Sequence, residues 1–402
     1  MKDPTKVAVK GPLGPYAAGF CAALDRMGYA DSSAVNVVKL VAHLSRWMGR
    51  EGVTVRELGP EEVGRYVAAR RAAGYRHNPA AWGLGTLLSY LQGLGVLAAV
   101  APSSPPTGQE RLLQDYARYL VSERGLKAGT VRYYLRFAGL FLSSVARGGE
   151  LDVDTIATGD VSSFLVDQCG RRRVGTAKNL VMALRSLLGY LHVAGLSATP
   201  LVGAVPAVAP WRERSVPRAL APAAVVRLLE SCDRRTAVGQ RDYAILVVLA
   251  RLGLRAGEVA ALELGDIDWR RGELLVRGKG DRRERLPLPV DVGEALASYL
   301  HQDRPRSADR HIFLRVKAPT MGLHGDGVTK VVHAACLRAG VPAVGAHRLR
   351  RATACETLRQ GGSLAEVGEV LRQRSAYTQA LYAKVDRAAL ERVARPWPGA
   401  RP

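Results

Sequence analysis

The residues best suited to chemistry are His347 and Arg350, three positions apart in the stretch HRLR. Residues three apart share one face of a helix, so an imidazole and a guanidinium here can contact the same oxyanion. Two earlier stretches add further cations, Arg255 in LGLRAGEVAAL and Lys279 in LLVRGKGDRRERLPLP, and Tyr382 follows the HRLR stretch. Together these residues predict a site for phosphoryl transfer.

The surrounding sequence predicts the elements that position these residues. Pro222 suits the first turn of a helix in LAPAAVVRLLESC, and the apolar stretch RDYAILVVLARLGL predicts a buried helix that ends at Gly253. Arg255 then begins a short helix, AGEVAAL. In DIDWRRGELLVRGKGDRRERLPLP, a Gly-Lys-Gly-Asp turn predicts a hairpin with Lys279 at its tip. A short strand at HIFL and further helices complete this mainly helical region, the helices beginning near Gly327, His347, Ser363 and Ala376.

Upstream, the chain divides into two helical blocks. Apolar residues have helical spacing from about Gly11 to Ala101 and from Glu110 to about Leu201, and Pro-rich linkers follow each block. A chain of 402 residues is expected to form about two to four domains. LLSYLQGLGVL in the first block matches LLGYLHVAGLS in the second. This match favours a duplicated domain, and chance similarity between two bundles rich in Ala and Leu is the alternative.

The formal net charge of +22 is far beyond what solubility requires and indicates a polyanionic partner. Nucleic acid is favoured over an anionic membrane surface, because the basic residues are spread through folded-looking sequence without a basic amphipathic helix. Two groups of these basic residues are predicted either to contact phosphates or to form a solvated face. They are Arg70, Arg71 and Arg76 in the first block and Arg171, Arg172, Arg173 and Lys178 in the second.

Other features exclude several protein classes. The longest apolar run, YAILVVLA, is shorter than the ~18 residues of a membrane span, and the first residues contain no signal-peptide core. We therefore expect a cytoplasmic protein without membrane contact. The five cysteines lie far apart and lack the spacing of zinc ligands, so neither a disulfide framework nor a metal site is predicted.

Four motifs occur in order between about Pro217 and Asp386: GLRAGEVAAL, the Lys279 hairpin, HRLR and LYAKVD. Each is common by itself, but in this order they resemble the tyrosine recombinase (phage integrase) family. The resemblance implies a mainly α fold with a small antiparallel sheet in a catalytic domain over residues 210–402. By position and length, residues 1–104 resemble a SAM-like, arm-type DNA-binding domain and residues 105–209 a helical core-binding domain.

The resemblance also implies a site-specific recombinase that cuts and rejoins duplex DNA as a tetramer, without metal or ATP. Arg255 and Arg350 would bind the scissile phosphate, because paired guanidinium donors match its oxygens. Tyr382 would attack phosphorus and form a 3′-phosphotyrosyl link, and Lys279 would protonate the leaving 5′-oxygen. His347 would hydrogen-bond the phosphate or assist proton transfer.

The resemblance extends to neighbouring positions, with one departure. Glu258 resembles the family's carboxylate that orients Arg255, and a plain surface salt bridge is the alternative. At Gln373, preceded by Arg372, the family usually has His or Trp after Gly, so a neutral donor replaces that side chain. Further predicted DNA contacts are Arg282, Arg283 and Arg351.

Two other functions stay open at this point. A type IB topoisomerase-like enzyme uses the same chemistry, but the two N-terminal helical blocks favour recombination, which needs site recognition. A non-catalytic DNA-binding protein on the same scaffold is suggested by Gln373 alone. Taken singly, Arg255 and Lys279 are typical of surface charges and Tyr382 of a core tyrosine. Their occurrence in order favours the catalytic interpretation.

Overall fold

A computed structural model of the chain describes residues 3–75, 80–97, 107–146, 150–206, 219–278 and 282–373. The fold is mainly helical with one small antiparallel sheet in the C-terminal part, which confirms the predicted fold class. The chain forms two compact units, Met1–Ala98 with Arg214–Pro402, and Ala99–Glu213. The predicted division into three domains stays a prediction. Within the described ranges, no helix is long and apolar enough to cross a membrane.

The first helices surround an apolar core of their own. They are α1 (Ala17–Arg26), α2 (Asp31–Glu51), α3 (Pro60–Ala72) and α4 (Ala80–Gly93). Apolar residues three and four apart on α2 bury one face of that helix, including Val38, Val41 and Leu44. In the C-terminal part of the same unit, Thr320 donates its backbone N–H to the carbonyl of Met27 at 2.8 Å. The two parts of this unit are therefore in contact.

The second unit is also a small helical bundle. Its helices are α5 (Gly108–Ser122), α6 (Ala128–Val145), α7 (Thr158–Gly170) and α8 (Val174–Val193). Thr107 and Glu110 cap α5 reciprocally: the Thr107 hydroxyl accepts the Glu110 N–H at 3.1 Å, and the Glu110 carboxylate accepts the Thr107 N–H at 2.8 Å. Leu187 is fully buried, as is its counterpart Leu87 in the other unit. Duplication of the blocks stays a prediction that this burial supports.

The C-terminal part contains the elements that position the predicted site. Its helices are α9 (Pro222–Glu230), α10 (Ala237–Leu252), α11 (Ala256–Ala260), α12 (Val290–Ser298), α13 (Gly325–Arg338), α14 (His347–Arg359) and α15 (Leu364–Val370). Helix α10 is buried along most of its length, as its uninterrupted apolar sequence predicts. Helix α14 packs against it, and the Thr353 hydroxyl donates to the carbonyl of Ala250 at 2.8 Å. The core therefore lies directly behind the HRLR stretch.

The predicted hairpin is confirmed. Strands β2 (Glu273–Arg277) and β3 (Arg283–Pro287) pair antiparallel, and the two-residue β1 (Ile267–Asp268) adds a strand that was not predicted. The predicted strand at HIFL is wrong: only isolated bridges form there, pairing His311 with Glu263 and Leu314 with Gly322. A strand needs a neighbouring edge to pair with along its length, and here each partner segment offers a single residue.

Candidate active site

Arg255 and Glu258 form the first half of the site. Gly253 ends α10 in the left-handed conformation, with φ 56°, and Arg255 follows as the residue that caps α11. Glu258 accepts the Arg255 backbone N–H at 2.9 Å and the Arg255 Nη1 at 2.5 Å. The Glu258 side chain is 5% exposed and that of Arg255 is 42% exposed. A buried carboxylate thus orients a guanidinium that reaches solvent, and a plain surface salt bridge does not describe this pair.

The same contacts determine the charge of Glu258. Burial by itself would raise the pKa of this carboxyl. The Arg255 backbone N–H and guanidinium hydrogen bonds, with the positive charges of Arg372 and Arg255, outweigh burial and lower the pKa below its usual value. Glu258 is therefore ionised at neutral pH.

Arg350 holds two distant segments together. Its side chain is fully buried, and its Nη1 donates to the Gly253 carbonyl at 2.5 Å while its Nη2 donates to the Leu371 carbonyl. Gly253 also permits a close approach, because a Cβ there would lie 2.9 Å from Leu371 Cδ2. In this structure Arg350 thus fixes the turn before Arg255 to the end of α15. Its predicted contact with a phosphate stays a prediction.

His347 is the first residue of α14; the residue as a whole is exposed, while neighbouring groups partly shield its ring from water. Loss of water around the ring, followed by the positive charges of Arg351, Arg350 and Arg255, lowers the pKa of His347 below its ordinary value. Arg350 Nη1 donates to the carbonyl of Gly253, two residues before Arg255, and His347 lies one turn before Arg350 on α14. The structure thus brings Arg255, His347 and Arg350 together, although they are up to 95 residues apart in the sequence (350 − 255). The imidazole is neutral at pH 7, and in this form its unprotonated ring nitrogen can accept a hydrogen bond or a proton.

The lowered pKa of His347 predicts how stability depends on pH. Because the unfolded chain, with a His pKa of about 6.5, binds this proton more readily than the folded chain, His347 destabilises the fold as pH falls below about 6.5. We expect His347→Asn to raise the melting temperature relative to the parent at about pH 5.5 and to change it less at about pH 8. His333→Asn, at an exposed site on α13, controls for loss of an imidazole. If His347→Asn and His333→Asn change the melting temperature equally at both pH values, this account is contradicted.

Arg372 and Gln373 follow α15 directly. Arg372 donates from Nη2 to Glu258 Oε2 at 3.1 Å, so Glu258 contacts two arginines. Gln373 comes next, and its backbone N–H donates to the carbonyl of Gly368 at 2.8 Å. The contact between Arg372 and Glu258 was not predicted from the sequence. The arginines on each side of Gln373 were the only sequence signal near this contact, because the neutral Gln373 stands where the family usually has His or Trp.

The remaining predicted site residues are distributed as follows. Lys279 and Tyr382 lie outside the described residues, as does the helix predicted near Ala376. Arg282 and Arg283 are exposed on the returning side of the hairpin, and Arg351 is half-buried on α14. The remaining predicted DNA contacts lie between the end of α7 and the first turns of α8, in the unit Ala99–Glu213: Arg171, Arg172, Arg173 and Lys178.

The described part of the site is suited to binding an anion. Arg255 presents an oriented, partly exposed guanidinium, and His347 lies at the N-terminus of α14, where backbone N–H groups and the helix dipole favour negative charge. A phosphate bound there would be held by charge-assisted hydrogen bonds in a fixed geometry. Such an arrangement stabilises the charge that gathers on a phosphoryl group during transfer.

Comparisons with known proteins point to one family. The model of the phage integrase family matches residues 218–388. The Sinorhizobium fredii protein y4rA, described as an integrase/recombinase, is 41% identical over 394 residues, covering 97% of this chain and 96% of that protein. Tyrosine recombinase XerD of Mycobacterium tuberculosis is 31% identical over 308 residues, which are 72% of this chain and 97% of XerD.

Solved structures have the same fold. XerH site-specific recombinase, bound to a palindromic difH substrate in a post-cleavage complex, matches with a TM-score of 0.57 at 19% identity, over 72% of this chain and 97% of that one. A lambda integrase tetramer bound to a Holliday junction matches with a TM-score of 0.55 at 16% identity, over 81% and 90%. At these identities, the comparison concerns the fold alone.

Proposed function

The chain belongs to the phage integrase family of tyrosine recombinases, and we propose that it is a site-specific recombinase that cuts and rejoins duplex DNA through a covalent link to Tyr382. The observation that carries this proposal is the arrangement around Glu258. The buried Glu258 carboxylate orients Arg255, the carbonyls of Gly253 and Leu371 accept from Arg350, and His347 lies one turn before Arg350 on α14. Titratable groups whose pKa values are shifted by burial and by specific charged neighbours, as those of Glu258 and His347 are, are concentrated at functional sites.

The proposed reaction is a transesterification in two steps. In the first, Tyr382 gives its phenolic proton to His347 and its oxygen attacks phosphorus, the bond from phosphorus to the 5′-oxygen breaks, and Lys279 gives a proton to that oxygen. The DNA then carries a 3′-phosphotyrosyl link and a free 5′-hydroxyl. In the second step a 5′-hydroxyl from another strand gives its proton to Lys279 and attacks phosphorus, and the released Tyr382 oxygen regains its proton from His347. The phosphodiester energy is conserved, so the proposal needs no nucleotide cofactor.

The cations of the site act on the phosphate during both steps. Arg255 stabilises the charge on the non-bridging oxygens, because Glu258 holds its guanidinium in place before the substrate arrives. Arg350, whose guanidinium is buried and donates to the Gly253 and Leu371 carbonyls in this structure, is proposed to bind the phosphate when DNA is present. His347, neutral at pH 7, accepts or returns a proton or hydrogen-bonds the phosphate.

We propose that basic side chains in both units contact the backbone of the DNA. The exposed Arg171 and Arg173 lie near the start of α8, and the exposed Arg282 and Arg283 lie beside the hairpin turn. Phosphate contacts of this kind position the duplex and make binding depend on salt. Strand exchange between two duplexes requires four cleavages, so we propose a tetramer on DNA. A protein that acts on chromosomal DNA would work in the cytoplasm.

The proposal is tested with the DNA that flanks the gene. Plasmids carrying pairs of candidate sites from these flanks are incubated with the full chain, and recombinant products are detected by amplification across the new junction. We expect sequence-dependent joining of two sites. Relaxation of supercoiled plasmid without any recombinant junction would instead indicate a nicking and closing enzyme, and binding without either reaction would indicate a DNA-binding protein.

Gln373 is expected to act as a neutral hydrogen-bond donor to the phosphate. We expect Gln373→Ala to slow single-turnover cleavage by roughly 10- to 10³-fold, because one donor is lost from a preorganised site. Gln373→His is expected to be tolerated or mildly faster, because the ring also donates and can carry charge. An Ala variant that cleaves at the parental rate would show that Gln373 has no part in the reaction.

A further inference from the structure

Arg372 has an unusual backbone and an unusual environment. Its φ is 52°, and within the described ranges it is the only residue other than glycine with a positive φ. Side chains with a Cβ rarely adopt this conformation, and where they do the surrounding structure must hold it. Its side chain is only 7% exposed, although arginine is mostly found at the surface. Both features require contacts that keep this arginine in place.

The contacts of Arg372 lead to two parts of the site. Nη2 donates to Glu258 Oε2 at 3.1 Å, and Nε lies 3.9 Å from Glu284 Oε2 on strand β3. Glu258 is the carboxylate that orients Arg255, and β3 pairs with β2 in the hairpin, with Lys279 lying between these two strands in the sequence. Arg372 also precedes Gln373 and follows Leu371, whose carbonyl accepts from Arg350. One side chain therefore connects α11, the hairpin and the end of α15.

Arg372 also changes the charge beside Arg255. With Arg255 alone, the buried carboxylate of Glu258 would cancel the charge of the guanidinium that is proposed to bind phosphate. With Arg372 as a second partner, Arg255, Glu258 and Arg372 together carry two positive charges and one negative charge. Glu284, which is 38% exposed and lies 3.9 Å from Arg372 Nε, is screened by solvent and offsets less of this positive charge than the buried Glu258 does. The net positive charge matters here, because electrostatic interactions are stronger in a partly buried site than in water.

We propose that Arg372 is a positioning residue for strand cleavage: it holds and neutralises Glu258, so that Glu258 orients Arg255 without cancelling its charge. The inference rests on the proposed function, because it assigns Arg372 to the phosphate site of that reaction. In the described structure Arg372 acts through Glu258 and does not itself need to touch the DNA. It supplies a positive charge next to Gln373, which has none.

The main test is Arg372→Gly in the full chain, assayed by single-turnover formation of the covalent adduct on a nicked suicide substrate. Glycine adopts a φ of 52° without strain, so the backbone conformation is retained and only the side chain with its guanidinium is lost. We expect adduct formation to slow by roughly 10- to 100-fold, the range for losing a hydrogen bond to a charged group. Arg372→Lys keeps the charge and one donor, and we expect it to recover part of that loss.

A double-substitution cycle separates positioning from a purely structural role. In a Glu258→Gln background there is no carboxylate to hold or neutralise, so adding Arg372→Gly is expected to slow the reaction less than about 3-fold further. Arg372→Gly at the parental rate, or an equal slowing with and without Glu258, would overturn the inference while leaving the proposed function intact. If the parent chain forms no adduct on substrates from its own flanks, both the proposed function and this inference fail.

Discussion

Tyr382→Phe is expected to abolish the covalent adduct between the protein and DNA. Phenylalanine keeps the ring and removes only the hydroxyl, which is the atom that must bond to phosphorus. Removal of a nucleophile typically costs on the order of 10⁶-fold in rate, so no adduct should be visible on a denaturing gel. DNA affinity should hardly change, because the basic side chains that contact phosphates are all retained.

Tyr377→Phe is the matched control for this experiment, since it removes the other tyrosine hydroxyl of the same stretch. We expect the Tyr377 variant to form the adduct at the parental rate. An adduct that persists in Tyr382→Phe and disappears in Tyr377→Phe would reassign the nucleophile. Binding measured by mobility shift in both variants shows that each protein is folded.

Arg255→Ala is expected to slow cleavage by ~10²- to 10³-fold, the usual cost of removing one preorganised donor to a developing anion. The fold should tolerate the change, because the Arg255 side chain is 42% exposed and Glu258 keeps its contact with Arg372 at 3.1 Å. Arg255→Lys keeps the charge but loses the paired donors, so it should recover only part of the rate. Single-turnover rates on a suicide substrate provide the measurement.

Arg251→Ala is the control for Arg255. Arg251 lies four residues earlier at the end of α10, is 60% exposed and pairs with Asp291 at 2.6 Å. A surface pair of this kind contributes little, so we expect cleavage close to the parental rate. If the Arg251 and Arg255 variants slow the reaction equally, the effect reflects the general positive charge of this surface and not an oriented donor.

Local signals in the sequence were sufficient to predict the helices and strands that position the site residues. Pro222 at the first turn of α9, Gly253 at the end of α10 and the hairpin around the Gly-Lys-Gly-Asp turn were all predicted from residue types that favour particular backbone conformations. The order of the motifs then predicted the family. Each of these signals lies within a few residues of the element that it predicts.

Contacts between distant segments could not be predicted in the same way. The Glu258 carboxylate meets Arg372 across 114 residues, and Arg350 donates to a carbonyl 97 residues away. Arginine is usually exposed, so nothing in the sequence indicated that Arg350 is fully buried. The HIFL prediction failed for a related reason, because strand formation there depended on residues elsewhere in the chain.

The central claim, that these cations serve a phosphoryl transfer to Tyr382, is tested most directly by mass spectrometry of the trapped adduct. The adduct formed on a suicide substrate is digested with protease and nuclease, and the nucleotide-bearing peptide is sequenced. We expect a phosphodiester between the Tyr382 oxygen and the 3′-oxygen of the nucleotide. A nucleotide attached to any other residue, or linked through its 5′-oxygen, would contradict the account.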